Sequence, residues 1–192
     1  MVLYARAGEP NMRGEEYRSV QRHDCRPSGP LPSHHRYQWA LLIGPKHESK
    51  RDGSCRNGIR LQAKDPPSFN GETHWLYEEA EVPLLSETMI LVRVMIGKVN
   101  SKRRLLSIAR DETLIQDEPW FNCVIWIRDA LFSIQSDKRT MGKSLLDWAI
   151  VRDEAINYLE TKKAQRRFEA GSGFDITRPA TWDLLQRKEL IR

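Results

Sequence analysis

Thiol, imidazole and carboxylate side chains are the groups in these 192 residues that could act as nucleophile, base or ligand. Cys25, Cys55 and Cys123 are odd in number and widely spaced, which excludes a disulfide framework and a CxxC zinc site and leaves at least one free thiol. Cys25 and Cys55 stand in polar, Pro/Gly/Arg-rich text, whereas Cys123 follows Asn122 just after the break Asp117-Glu118-Pro119 and heads an apolar pattern of helical spacing. That places its sulfur in the first turn of a helix, where unpaired N–H groups and the positive end of the helix dipole favour a thiolate. The apolar pattern equally suits a buried structural cysteine, since free cysteines are among the most buried residues.

The other reactive side chains read as surface or core. His34-His35 adjoins Pro and Arg residues, and a metal site there would need two or three further ligands, so no metal is expected. Glu79 and Glu81 share one face of an expected strand and Glu78 precedes them, the pattern of a solvent-facing edge. Met141-Gly142-Lys143-Ser144 carries a Gly-Lys-Ser triplet but lacks the first glycine and the preceding strand of a phosphate-binding loop. The runs Lys102-Arg103-Arg104 and Ser136-Asp137-Lys138-Arg139 are short. The longer run Lys162-Lys163-Ala164-Gln165-Arg166-Arg167 ends an amphipathic helix, and all three read as solvated faces. Trp39, Trp75, Trp120, Trp126 and Trp148 suit an aromatic core.

The elements that must position these groups follow from periodicity. Met1 to Ala5 reads as a first strand, and Gly8 to Arg36 as a mobile Pro/Gly/Arg-rich loop. Tyr37 to Gly44, Ile59 to Lys64, Thr73 to Glu81 and Thr88 to Val99 read as strands, the last being the strongest such signal. Beyond Ser101 the period becomes helical. Ser101 caps a helix to Arg110, a second runs from about Cys123 to Gln135, a turn holds Gly142, and a long helix covers about Ala149 to Phe168. Residues 1 to 170 are thus expected to form one α+β domain, a small antiparallel sheet packed on the Cys123 helix and the long helix, with 171 to 192 a tail holding a weak helix around Thr181 to Leu190.

Composition bounds the function classes. A net charge of +5 with both signs mixed along the chain is mildly basic and short of a nucleic-acid-binding composition. No apolar stretch approaches the ~20 residues of a membrane helix, and the N-terminus has no secretory signal, so a cytoplasmic protein without a span is expected. No feature of the sequence sets an oligomeric state.

The order of YQWALLIG, IRLQAK and a late helix opening NCVIWI resembles the circularly permuted papain-like cysteine hydrolases and acyltransferases of the NlpC-like clan. The nearest look is to the lecithin retinol acyltransferase-like group and the PPPDE-type deubiquitinating peptidases, and the whole is similar to small fungal proteins with a YHWAL-type strand. The resemblance covers Met1 to Phe168. It implies a permuted papain-like fold without cofactor, with Cys123 as nucleophile attacking an amide or ester, and Asn122, Trp39, Trp126 and His74 beside a small-molecule or peptide substrate. The clan's two histidines fall on Gln38 and Gln62, and an amide cannot accept the thiol proton at neutral pH, although Gln38 could donate to an oxyanion. His34, His35 and His74 lie near the matched strands as substitutes. Two readings follow: a cysteine hydrolase or acyltransferase of altered chemistry, or a catalytically inactive relative that keeps the cleft for a small molecule or peptide.

Overall fold

A computed structural model describes residues 2–7, 37–45, 57–66, 74–84, 90–118, 120–169, 171–175 and 177–192. The chain is α+β. In order it forms β1 (Val2–Ala7), β2 (Tyr37–Ile43), β3 (Asn57–Lys64), β4 (Leu76–Pro83), β5 (Ile90–Met95), β6 (Gly97–Val99), α1 (Lys102–Asp111), α2 (Cys123–Ser136), β7 (Met141–Ser144), α3 (Trp148–Ala164), β8 (Ala180–Asp183) and β9 (Lys188–Ile191). The expected loop over 8–36, with His34, His35 and Cys25, and also Cys55, lie outside the described residues.

Seven strands make one sheet in the order β4-β3-β2-β1-β5-β8-β9, and β6 and β7 form a separate pair. Every neighbour in the large sheet is antiparallel except β5 and β8, which run parallel with Val92 opposite Ala180 and Met95 opposite Asp183. A parallel pair needs a long crossover, and the three helices between β5 and β8 supply it.

The helices begin where their side chains can cap them. Ser101, Asn122 and Asp147 each accept a hydrogen bond from a first-turn N–H of α1, α2 and α3. The central helix is α2: its Val124, Trp126, Ile127, Ala130, Leu131 and Ile134 are buried against Trp39 and Leu41 of β2, Leu61 and Ala63 of β3, and Val94 of β5. Each such aliphatic side chain contributes roughly 1.5–3 kcal/mol relative to exposure. This core fixes which face of β2 and β3 meets α2.

Four sequence expectations change. The single strand over Thr88 to Val99 breaks at Ile96, whose carbonyl accepts from Leu145 N–H at 2.8 Å while that of Met95 accepts from Leu184 N–H at 3.1 Å. The turn holding Gly142 is strand β7, and a Cβ on Gly97 would meet Met141 Cε and Ser144 Cβ at 2.7 Å, so a residue without a side chain lets β6 and β7 approach. The long helix stops at Ala164, with Arg166 in the left-handed region at φ 57. Lastly, residues 171 to 192 are no helical tail: β8 and β9 extend the sheet beyond β5, the chain turning at Arg187 with φ 49. Local text there suits a helix, but Trp182 packs against Tyr158 of α3 at 5.8 Å between ring centres, and pairing with β5 satisfies the backbone. Among the described residues no helix is long and apolar enough to cross a membrane.

Candidate functional site

Cys123 occupies the first turn of α2, as its sequence position implies, and it lies against β2: Sγ is 3.7 Å from the Tyr37 carbonyl oxygen, to which the thiol donates. It is also part of the main core, 7% exposed. Burial pushes the thiol up to about 11, outweighing the backbone N–H groups of Trp39, Cys123 and Val124 that favour the thiolate. The helix end acts as expected on the sulfur, and loses to desolvation. At pH 7 a thiol of that pKa is ionised in only about one molecule in 10⁴.

Of the neighbours inferred for it, Trp39 and Trp126 share its core, whereas Gln38 and Gln62 do not face it. Trp39 and Leu41 of β2 and Leu61 and Ala63 of β3 belong to the core that holds Cys123, while Ala40 and Leu42 form a separate cluster with Val82 and Leu84 on the opposite face. Side chains alternate along a strand, so Gln38 shares the face of Ala40, and Gln62 that of Arg60 and Lys64, both turned away from α2. Gln38 Nε2 donates to the Ala63 carbonyl at 2.9 Å, and Gln62 Nε2 donates to Glu78 Oε2 at 2.5 Å. Glu78 also accepts from Arg60 and Lys64. Strand parity therefore turns both positions that the resemblance matches to the clan's histidines away from Cys123.

Asn122 serves as a cap, its Oδ1 accepting from Val124 N–H at 2.9 Å and Ile125 N–H at 3.1 Å. Trp39 and Trp126 are wholly buried, the first edge-on to Trp148 and the second tilted against Tyr77, so neither offers a face to a substrate. His74, the one histidine among the described residues, is exposed, with its backbone N–H donating to Asp65 Oδ1 at 2.9 Å. Among the described residues no group of three or more His, Cys, Asp or Glu side chains could hold a metal ion.

Elsewhere the structure assembles groups that the sequence kept apart. Glu79 takes the Arg110 guanidinium through both carboxylate oxygens at 2.8 Å, which holds its carboxyl below the usual range. Two members of the basic run Lys162 to Arg167 are buried rather than solvated. Lys162 pairs with Glu189 of β9, and Arg167 Nη2 donates to the carbonyls of Asp175 at 3.1 Å and Arg178 at 2.7 Å. Their partners lie beyond Gly171, in the segment read as a tail, so no local signal marks them.

A concavity of about 620 Å³ is an open groove between α1 and α2, toward the end of α2 away from Cys123. Arg104, Lys138 and Arg139 line one end and Asp111 and Glu112 the other, with Ile108 between them. Arg104 grips Asp137 with two N–H groups, and Ser133 Oγ donates to Glu112 at 2.8 Å.

The chain belongs to DUF6914, a family of unknown function whose model matches residues 1–191, the last two strands included. No curated protein and no solved structure matches it.

Proposed function

We propose that this member of the family is a non-catalytic binding protein for a small polar molecule or short charged peptide, not a thiol hydrolase or acyltransferase. The burial and protonation of the Cys123 sulfur carry this reading: among the described residues its shift arises from desolvation and backbone N–H groups, and no imidazole or cation is among its causes. A nucleophile needs a thiolate and a general base, the latter worth roughly 10²–10⁴-fold in rate. The Cys-headed helix lies against β2, but Gln38 and Gln62 stand on the other face of the sheet, so the positions matched to the clan's histidines bring no group to the thiol. The ligand surface is the α1–α2 groove, whose opposite charges at its two ends suit a ligand carrying both signs.

Alkylation with iodoacetamide tests the first half. Cys123 reacts only as fast as the protein unfolds between pH 6 and 8, and nitrophenyl acetate hydrolysis is the same for the chain and Cys123→Ser. Fast native-state alkylation at pH 6 to 7, with ester turnover lost in Cys123→Ser, overturns it. For the second half, a hexapeptide of alternating Lys and Glu is expected to shift the amide resonances of Ile108, Ser133 and Ser136, and shifts confined to other elements would remove the groove from consideration.

A further inference from the structure

We infer that the surface built by β6, β7, the first turn of α1 and the turn after α2 docks on the phosphate backbone of double-helical nucleic acid. The segment Gly97 to Arg104 holds Lys98, Lys102, Arg103 and Arg104 and no acid, and Asp137 to Ser144 holds Lys138, Arg139 and Lys143 against Asp137 alone. Far apart in sequence, the two segments form one surface. Gly97 pairs with Ser144 and Val99 with Met141, the N–H groups of Asn100 and Ser101 donate to the Thr140 carbonyl at 3.0 and 3.2 Å, and Arg104 grips Asp137. The two segments therefore carry seven cations against one carboxylate, which Arg104 already occupies, an excess greater than the net charge of +5 of the whole chain, with Asp111 and Glu112 at the far end of the groove that Arg104, Lys138 and Arg139 line.

Three features of this surface disfavour the free protein and are relieved by an anion. Lys102, Arg103 and Arg104 fill the first turn of α1, the positive end of its dipole, where acidic residues are favoured and none is present. Lys98 and Lys143 both stand exposed beside the Gly97 and Ser144 pair, where the register of the two antiparallel strands shifts, and like charges on neighbouring strands repel. Lys98, Lys102, Arg103, Lys138, Arg139 and Lys143 are all exposed, and among the described residues no ion pair joins any of them to a carboxylate. Glu79, whose field reaches Lys102, is held by Arg110. Phosphates satisfy first-turn N–H groups and lysine ammonium groups alike.

The kind of polyanion follows from what the surface lacks. None of the exposed large apolar side chains, Leu76, Trp120, Phe132, Ile150, Phe168 and Leu190, lies in the two segments. A bilayer surface is gripped through apolar side chains as well as charge, and single strands through aromatic stacking. A duplex presents closely spaced phosphates to charge alone, without base readout.

Anisotropy of a labelled 20-base-pair duplex, DNA and RNA, titrated with the full chain tests this. Binding is expected at 50 mM salt with little sequence preference. Four neutralised phosphates give a slope of about −3.6 in log K against log salt, on the order of a 100-fold loss by 200 mM. Lys98→Glu, Lys102→Glu, Arg103→Glu and Lys143→Glu together should weaken duplex binding on the order of 100-fold or more while thermal unfolding stays put or rises, since acids suit the α1 N-terminus. Arg166→Glu with Arg192→Glu, both exposed and outside the two segments, should bind as the parent does. No duplex binding by the parent at 50 mM, equal binding by the fourfold variant, or binding to phosphatidylserine vesicles in place of duplex each overturns the inference. None of the four altered residues lines the α1–α2 groove, so these outcomes are independent of the peptide titration.

Discussion

Cys123 shows how far a residue's chemistry is legible before its surroundings are known. The Asn122-Cys123 order after a proline break locates the sulfur in a helical first turn, and the cap bonds from Val124 and Ile125 place it there in the fold. What the text leaves open is the dielectric, and that is set by Trp39, Leu41 and the rest of the core packed on α2. A testable consequence lies on the alkaline side. Because burial raises the folded-state pKa to about 11, the protonated thiol's contribution to stability is complete below the unfolded-state pKa near 9 and is lost as pH climbs toward 11. Denaturant unfolding from pH 8 to 11 should therefore fall more steeply for the parent than for Cys123→Ala, by on the order of 2–3 kcal/mol at the upper end. Parallel curves for the two proteins would mean that the sulfur meets water in the native state.

At the scale of elements, alternation decided where the glutamines went. YQWALLI and IRLQAK declare themselves strands in text, but a period of two leaves both faces open, and only the partner on each face selects one. Here the bulky Trp39, Leu41 and Leu61 take the α2 side, which sends Gln38 and Gln62 to the other. The segment after Gly171 makes the same point with charge. Lys162, 2% exposed, is compensated by Glu189 of β9, whose carboxyl burial pushes up and whose bonds from Lys162 and Tyr158 pull below its ordinary value. Glu189→Gln leaves that ammonium buried without its counter-charge and should cost about 2 kcal/mol, discounted from the figure for a fully enclosed pair because Glu189 is partly exposed. Adding Lys162→Met should restore most of the loss. An additive double variant in chemical denaturation would show that the two do not act as a pair.

For the molecule as a whole, the sheet order makes the C-terminal segment part of the domain, with β8 bonded to β5 and Trp182 packed on Tyr158. A chain ended after residue 170 strips β5 of a neighbour, leaves Lys162 without Glu189, and should lose its cooperative thermal transition; a two-state melt within a few degrees of the full chain would contradict that. The sequence by itself determined the α+β class, the strand-to-helix change near Ser101, the cap at Ser101, and the position of Cys123 in its helix, because each depends on contacts within about four residues, whereas the cap role of Asn122 came from the structure. Only the tertiary structure decided which sheet face each glutamine takes, that β8 and β9 replace an expected helix, and that cations of two short runs share one surface through β6, β7 and the Arg104 to Asp137 bond. Composition averages charge over the chain, whereas strand pairing and desolvation act between residues far apart in sequence, so face, burial and charge density are properties of the packed molecule alone.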